Sequence, residues 1–201
     1  MQIISDIEQG TAAWHACRIG NPGASGMSKI ITSQGKASAS RTKYMYQLAG
    51  ELITGEKTET YQSAAMARGH EMEPEAREVF EFGYGPVDQC GLVYPDHTDA
   101  YHCSPDGLLR NEPAGLEIKN PSLPVAVEYL VRGKLPTEYK IQVQGSLMVT
   151  GLDYWYFFSY YPGLKPLILK IEREEKLIRQ IRDAVEAFCL DLEALVARLK
   201  E

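Results

Sequence analysis

The fold of this chain depends on two short stretches, Ser104-Pro105-Asp106-Gly107 and Leu116-Glu117-Ile118-Lys119. Between them, residues 110–114 read Arg-Asn-Glu-Pro-Ala and are rich in turn formers. We therefore predict two strands, over 102–109 and 115–120, that pair as a hairpin. Pairing of the two strands would bring the first stretch alongside the second.

Three charged side chains of this hairpin point to metal chemistry. Side chains alternate along a strand, so Glu117 and Lys119 are expected on one face and Leu116 and Ile118 in the core. In the paired hairpin Asp106 lies beside Glu117, and two carboxylates form an oxygen-rich cradle for a hard cation such as Mg²⁺. Lys119 would stabilise an attacking hydroxide or the charge that develops on phosphorus.

The spacing matches the PD-(D/E)xK nuclease signature, since Pro-Asp is followed by ten intervening residues and then Glu-Ile-Lys. Acidic and basic residues also alternate on exposed strands, so a solvated hairpin is the competing interpretation. Apolar neighbours weaken it, because Leu108 and Leu109 indicate a largely buried hairpin in which unpaired charges are costly.

Length and composition predict one globular domain over residues 1–201, with 44% hydrophobic and 24% charged residues. No apolar run approaches the ~18 residues that span a bilayer, and the composition of residues 1–6 does not predict a signal peptide. Four scattered cysteines without a Cys-x-x-Cys pair favour a reducing cytosol over a disulfide framework or zinc site. The net charge of −6 argues modestly against nucleic acid, although basic residues concentrated on one surface would still bind it.

Hydrophobic periodicity predicts helices on both sides of this hairpin. They are expected over 7–18, 27–31, 42–55, 64–80, 127–133, 137–150 and 174–200, with further strands over 91–94, 154–160 and 167–171. The strands over 91–94, 101–109 and 115–120 would form a three-strand meander. Together the elements predict an α/β sandwich with a mixed central sheet.

Two features outside the hairpin allow alternative interpretations. The glycine-rich turn over 19–26 lies close to Arg18 and Ser25, which suits either a phosphate site or an exposed loop. Glu73 belongs to an acidic run and, taken alone, is interpreted as a surface residue. Pro74 interrupts the predicted helix over 64–80, so the helix bends there or a new one begins.

Four groups of residues follow one another between residues 8 and 160. They are Glu8-Gln9-Gly10 with Trp14-His15, Arg18-x-Gly20 and Ala24-Ser25; Gly69-x-x-x-Glu73-x-x-Ala76-Arg77 with Phe80-Glu81-Phe82; Cys103-Ser104-Pro105-Asp106-Gly107-Leu108 with Gly115-Leu116-Glu117-Ile118-Lys119; and Tyr139-Lys140-Ile141-Gln142-Val143-Gln144 with Val149-Thr150 and Trp155-Tyr156. In this order they resemble the phage lambda-type alkaline exonucleases, the YqaJ-like viral recombinase nucleases of the PD-(D/E)xK superfamily. The resemblance implies a restriction-endonuclease-like core with a mixed central β-sheet flanked by helices.

The resemblance also implies the metal site. Asp106 and Glu117 would bind two catalytic Mg²⁺ ions, for which Mn²⁺ is the expected substitute, and Lys119 would be the catalytic lysine. Glu73 would become an additional metal ligand, and so would the backbone carbonyl of Ile118.

Further residues match positions that handle the DNA strand in this family. The 5′-phosphate would be held by Arg18, Ser25, Ser104 and Gln142, while Met66 falls where the family places an apolar wedge between the strands. The altered loop Asn21-Pro22-Gly23 implies a differently shaped phosphate loop.

The expected function is that of a Mg²⁺-dependent exonuclease acting 5′ to 3′ on double-stranded DNA ends. It would release 5′-mononucleotides and leave a 3′ overhang for phage-type recombination by single-strand annealing. The resemblance further implies a homotrimeric ring, a single-strand annealing protein as partner, and a phage or prophage protein in the cytosol of a bacterial host. The alternatives are a structure-specific or restriction-type endonuclease with the same metal site and a non-catalytic DNA-binding module.

Overall fold

A computed structural model describes residues 1–58 and 64–201, with the side chains of residues 64–66 outside the described part. Its α-helices are α1 (Ala12–Cys17), α2 (Arg41–Thr54), α3 (Ala64–Glu71), α4 (Glu73–Tyr84), α5 (Leu123–Arg132), α6 (Thr137–Thr150) and α7 (Glu175–Lys200), and a 3₁₀ helix covers Ala24–Lys29. Among the described residues no helix is long and apolar enough to cross a membrane.

The strands form a main sheet and a small one. They are β1 (Gln2–Ile4), β2 (Val87–Asp88), β3 (Leu92–Tyr94), β4 (Gly107–Leu109), β5 (Ala114–Lys119), β6 (Tyr154–Ser159) and β7 (Leu167–Glu172). The main sheet has the order β2-β4-β5-β6-β7, and β1 pairs with β3 separately. Among the strands of the described residues, β5 and β6 are the one parallel pair, and helices α5 and α6 connect them. The predicted mixed α/β sheet flanked by helices is confirmed; the single domain over 1–201 stays a prediction.

Local signals in the sequence account for the helix ends. The Thr11 hydroxyl accepts a hydrogen bond from the Trp14 N–H at 3.3 Å and so caps the start of α1. Helix α2 ends at Gly55, which adopts the left-handed conformation with φ of 72° that glycine tolerates. Pro74 occupies the first turn of α4, where its missing N–H costs nothing, so α3 and α4 are separate helices.

Strand β6 shows how the main sheet is covered on both faces. Trp155 packs in a core with α2, α6 and α7, whereas Tyr156 and Phe158 pack in a second core with Phe80 of α4. Neighbouring residues of a strand point to opposite faces, so an aromatic run on β6 fills both cores at once. These two layers bury β5, which carries Glu117 and Lys119, in the middle of the molecule.

The predicted three-strand meander is wrong. Strand β3 pairs with β1, and β2 is the neighbour of β4 in the main sheet. The strand expected over 102–109 is reduced to β4, with a single bridge between Val93 and Cys103 before it. Pro105 has no N–H for a ladder, and its carbonyl accepts from the Gln9 side chain at 2.8 Å, so the ladder is interrupted there.

Candidate active site

Asp106 and Glu117 meet across the pair β4–β5. Gly107 is opposite Leu116 in the register, which places Asp106 opposite Glu117. The Asp106 N–H donates to the Leu116 carbonyl at 3.0 Å, and the Ile118 N–H donates to Asp106 Oδ2 at 2.6 Å. Hydrogen bonds to the backbone of β5 therefore hold Asp106 directly before β4, beside the strand that carries Glu117.

The Glu117 side chain is 3% exposed, and one of its oxygens has two donors. Lys119 Nζ, from the same face of β5, donates to Glu117 Oε1, and Gln142 Nε2 of α6 donates to the same atom at 2.5 Å. Leu116 and Ile118 are buried as predicted. The carboxylate and the amine of the signature are thus in direct contact.

The charges of these groups depend on one another. Burial and the neighbouring carboxylates of Glu117 and Glu73 raise the pKa of Asp106 well above its usual value, against the opposing effects of Lys119 and the Ile118 N–H. Burial disfavours the charged form of Lys119, but Glu117 and Asp106 outweigh it and raise the pKa of the amine. The closely spaced carboxylates therefore disfavour the charged form of Asp106, and the cationic Lys119 offsets part of this effect.

The donor atoms at this point fit a hard divalent cation. Mg²⁺ is usually held by one or two carboxylates together with water and substrate oxygens. Asp106 and Glu117 provide the carboxylates. The N–H and C=O of one strand residue point to the same edge, so the Ile118 carbonyl lies on the edge that faces Asp106. In the described part of the chain no three His, Cys, Asp or Glu side chains form a complete ligand set, so this fit rests on two carboxylates and a carbonyl.

A cavity of about 140 Å³ opens onto these residues. Its lining unites seven of the predicted site residues, namely Arg18, Ser25, Ser104, Asp106, Glu117, Lys119 and Gln142. They come from the C-terminal end of α1, the 3₁₀ helix, the segment before β4, β5 and α6. The tertiary structure thus places the expected phosphate-binding residues and two of the expected metal ligands, Asp106 and Glu117, in one cavity.

The phosphate side of this cavity contains two polar groups that have no hydrogen-bond partner among the described residues. The Arg18 guanidinium lies 3.9 Å from the centre of the Trp14 ring, and burial lowers its pKa. Within residues 1–58 and 64–201 it forms neither an ion pair nor a side-chain hydrogen bond. The buried Ser104 hydroxyl has no hydrogen-bond partner there either. A half-buried cation and a buried hydroxyl that have no partner within the described residues are suited to an anionic ligand.

Comparison with known proteins identifies the family. The family model of the YqaJ-like viral recombinase domain matches residues 13–153. The chain belongs to this family. The crystal structure of the alkaline exonuclease LHK-Exo from Laribacter hongkongensis is 34% identical, with a TM-score of 0.85 over 94% of this chain and 96% of that one. The same values hold for LHK-Exo in complex with dAMP.

A second relative supports the fold alone. A phage related exonuclease from Haemophilus somnus is 16% identical to this YqaJ-like chain, with a TM-score of 0.70 over 89% of this chain and 96% of the other. No match was found among the curated proteins.

Of the expected metal ligands, Glu73 and Ile118 are not part of the described lining of the cavity in this YqaJ-like domain. Glu73, the first residue of α4, is close enough to influence Asp106, but it does not line the cavity among the described residues. Its Oε1 accepts from Arg77 Nη2 at 2.5 Å. The backbone of Met66 belongs to α3, while its side chain, to which the wedge prediction refers, lies outside the described residues.

Sequence reasoning missed Glu51, which supports the turn after Arg18. This carboxylate is 4% exposed and accepts from the Gly20 N–H at 3.1 Å and from the Thr58 N–H at 3.2 Å. Burial by itself would raise its pKa, but hydrogen bonds from these groups and from Gln47 lower it. A signal was present, since Glu51 falls on the buried face of α2, one turn after Leu48.

Proposed function

We propose that this YqaJ-like domain is a Mg²⁺-dependent exonuclease that degrades one strand of double-stranded DNA from its 5′ end. It releases 5′-mononucleotides and leaves a 3′ single-stranded overhang. The observation that carries the proposal is the single cavity, which has Asp106, Glu117 and Lys119 on one side and Arg18 with Ser104 on the other. The similarity to LHK-Exo, an alkaline exonuclease known in complex with dAMP, supports the same reaction class.

In this proposal Asp106, Glu117 and the Ile118 carbonyl hold the ions, with Glu73 as an additional ligand and Mn²⁺ as a substitute for Mg²⁺. When bound, two such ions supply Lewis-acid stabilisation and a water of lowered pKa. Lys119 is held by Glu117, and its positive charge orients the attacking water or stabilises the charge that develops on phosphorus. Gln142 of α6 donates to the same oxygen of Glu117 and restrains the carboxylate as well.

The phosphate side of the cavity explains why digestion would begin at an end. Arg18 and the Ser104 hydroxyl contact the terminal 5′-phosphate, and Ser25 completes that pocket. An anchored terminal phosphate fixes the distance from the strand end to the scissile bond, so the reacting group is presented to Asp106 and Glu117. Internal positions of a closed duplex have no terminal phosphate to anchor.

We also propose that the domain forms a homotrimeric ring and acts with a single-strand annealing protein. A homotrimeric ring would reconcile the net charge of −6 with DNA binding, because basic residues would be gathered in a central channel. Met66 would part the strands at the entrance to the site. The 3′ overhang would pass to a single-strand annealing protein, as in recombination by a phage or prophage in the cytosol of its bacterial host.

The proposal is tested with a linear duplex labelled at the 5′ end of one strand and with a covalently closed circle. With Mg²⁺ we expect the label to appear at once as a mononucleotide and the circle to survive. Cutting of the circle would instead establish an endonuclease. Absence of hydrolysis at both substrates would favour a non-catalytic DNA-binding module. Asp106→Asn is the control, since it retains the side-chain size and loses the carboxylate.

A further inference from the structure

Arg77 lies on α4, one turn after Glu73. Its side chain is only 14% exposed. The guanidinium donates through Nη2 to Glu73 Oε1 at 2.5 Å and through Nε to the backbone carbonyl of Asp106 at 3.2 Å. One buried cation therefore contacts two of the predicted metal ligands, which come from different elements.

We propose that Arg77 is a positioning residue that holds Glu73 and the Asp106 segment at the separation required for a shared divalent cation. This inference rests on the proposed function, because it assumes that a cation binds between these carboxylates.

The geometry of the contact suits a guanidinium. Its donors lie in a rigid plane, so binding Glu73 with one nitrogen and the Asp106 carbonyl with another constrains both partners. A lysine ammonium is a single charged point on a flexible stem and cannot impose that relation. Glu73 is the first residue of α4, and Asp106 directly precedes β4. The guanidinium of Arg77 therefore links the start of α4 to the start of β4.

A third contact restrains the arginine itself. The Gln89 amide is surrounded by the N–H donors of Arg77, so its oxygen is assigned to the side that faces the guanidinium. With its oxygen toward the guanidinium, Gln89 accepts from Arg77 Nε and Nη2 at 3.0 Å each. The arginine is thus held from the segment after β2 as well.

Glu73 retains an oxygen for a ligand. Arg77 binds Oε1, while Nδ1 of the exposed His70 ring lies 3.9 Å from Oε2, beyond hydrogen-bond distance. Carboxylates that bind metals are commonly hydrogen-bonded on their other oxygen, and loss of such outer partners typically weakens metal binding about 10- to 100-fold. The arrangement at Glu73 corresponds to that pattern.

A role of Arg77 as a nearby charge and a role in positioning predict opposite effects of its replacement on cation binding. If Arg77 acted only as a nearby positive charge, a neutral replacement would remove repulsion and tighten the binding of a cation. If Arg77 positions Glu73 and Asp106, both a neutral replacement and a lysine weaken binding. The pair Arg77→Met and Arg77→Lys therefore separates the two roles.

The test measures Mn²⁺ binding to the full chain without DNA, from the electron paramagnetic resonance signal of free Mn²⁺. Asp106→Asn defines the background, and urea unfolding confirms that each variant is folded. We expect Arg77→Met and Arg77→Lys to bind Mn²⁺ about 10- to 100-fold more weakly than the unchanged protein. Arg110→Gln is the matched control, because Arg110 is an exposed arginine nearby that pairs with Asp88. The Mn²⁺ affinity of this variant should equal that of the unchanged protein.

The outcomes distinguish the two levels of the proposal. Equal Mn²⁺ binding by the unchanged protein and Asp106→Asn would overturn the metal site and the proposed function with it. Specific binding that both Arg77 variants retain, or that Arg77→Met tightens, would overturn the positioning role and leave the proposed function standing. Weakening by Arg110→Gln to the same extent would reduce the effect to general surface charge and would also overturn that role.

Discussion

Gln142 Nε2 lies 2.5 Å from Glu117 Oε1, so a side chain of α6 directly restrains a carboxylate of the central strand. Resemblance to the family assigns Gln142 to the 5′-phosphate, and the structure adds a contact to a predicted metal ligand. The two roles lead to different kinetic behaviour.

If Gln142 acts through Glu117, Gln142→Met slows hydrolysis of 5′-phosphorylated and 5′-hydroxyl duplexes by the same factor, about 10- to 100-fold. Single-turnover rates on the two substrates measure this. Lys140→Met is the control on the same helix, since Lys140 pairs with Glu174, and its rates should remain unchanged. Slowing confined to the phosphorylated duplex would assign Gln142 to the phosphate alone.

Arg18 is expected to create the preference for a 5′-phosphate. A hydrogen bond to a charged group contributes about 1.5–3 kcal/mol, so the phosphorylated duplex should react about 10- to 100-fold faster than the hydroxyl form. Arg18→Ala should abolish that ratio, whereas Arg41→Ala should preserve it, because Arg41 is engaged by Asp191. Equal rates on both substrates with the unchanged protein would contradict the pocket assignment.

His102 should make stability depend on pH. Burial, reinforced by Arg18, lowers the pKa of this imidazole to about 3. In the unfolded chain the pKa is about 6.5, so below that pH the unfolded state binds a proton that the folded state excludes. The stabilising contribution is complete above pH 6.5 and is lost at about 1.4 kcal/mol per pH unit as the pH falls toward 3.

Urea unfolding at pH 7.5 and 5.0 tests this linkage. His102→Gln should lose about 2 kcal/mol less than the unchanged protein between the two values, because the titrating group is gone. Exposed His70 provides the control, and His70→Gln should lose as much as the unchanged protein. Equal losses with and without His102 would exclude it as the titrating group.

Any side chain at position 115 of β5 should destabilise the fold. A Cβ at this position would lie 2.3 Å from ring atoms of Trp155, which is fully buried. Gly115→Ala should lower the free energy of unfolding by about 1–3 kcal/mol, because the core is already close-packed. Gly50→Ala is the control in α2, where an added Cβ would meet no described atom within 4 Å beyond its chain neighbours and its own helix backbone. It should raise stability by up to about 1 kcal/mol. Urea unfolding of both variants would reveal the opposite signs, and a neutral Gly115→Ala would contradict this account of the core.

Local patterns were sufficient for most of the long elements. Periodicity predicts α2 and α7 close to their observed bounds, since each presents an apolar face to one core. Helix α6 also has the predicted bounds, although it is buried continuously from Val143 to Thr150 and includes polar residues such as Gln144. The shortest strands are not predicted by alternation. Strands β1 and β2 contain three and two residues, too few for alternation to be recognised, so the meander was predicted with the wrong neighbours.

The sequence by itself determined the pairing of Asp106 with Glu117, because ten intervening residues with a turn between two apolar runs allow one compact hairpin. It also determined that Lys119 shares the face of Glu117, which follows from the alternation of a strand. Only the tertiary structure decided that Arg18 and Ser104 enter the same cavity and that Arg77 links Glu73 to Asp106. These relations join segments far apart in the chain, and their geometry depends on packing that no local pattern encodes.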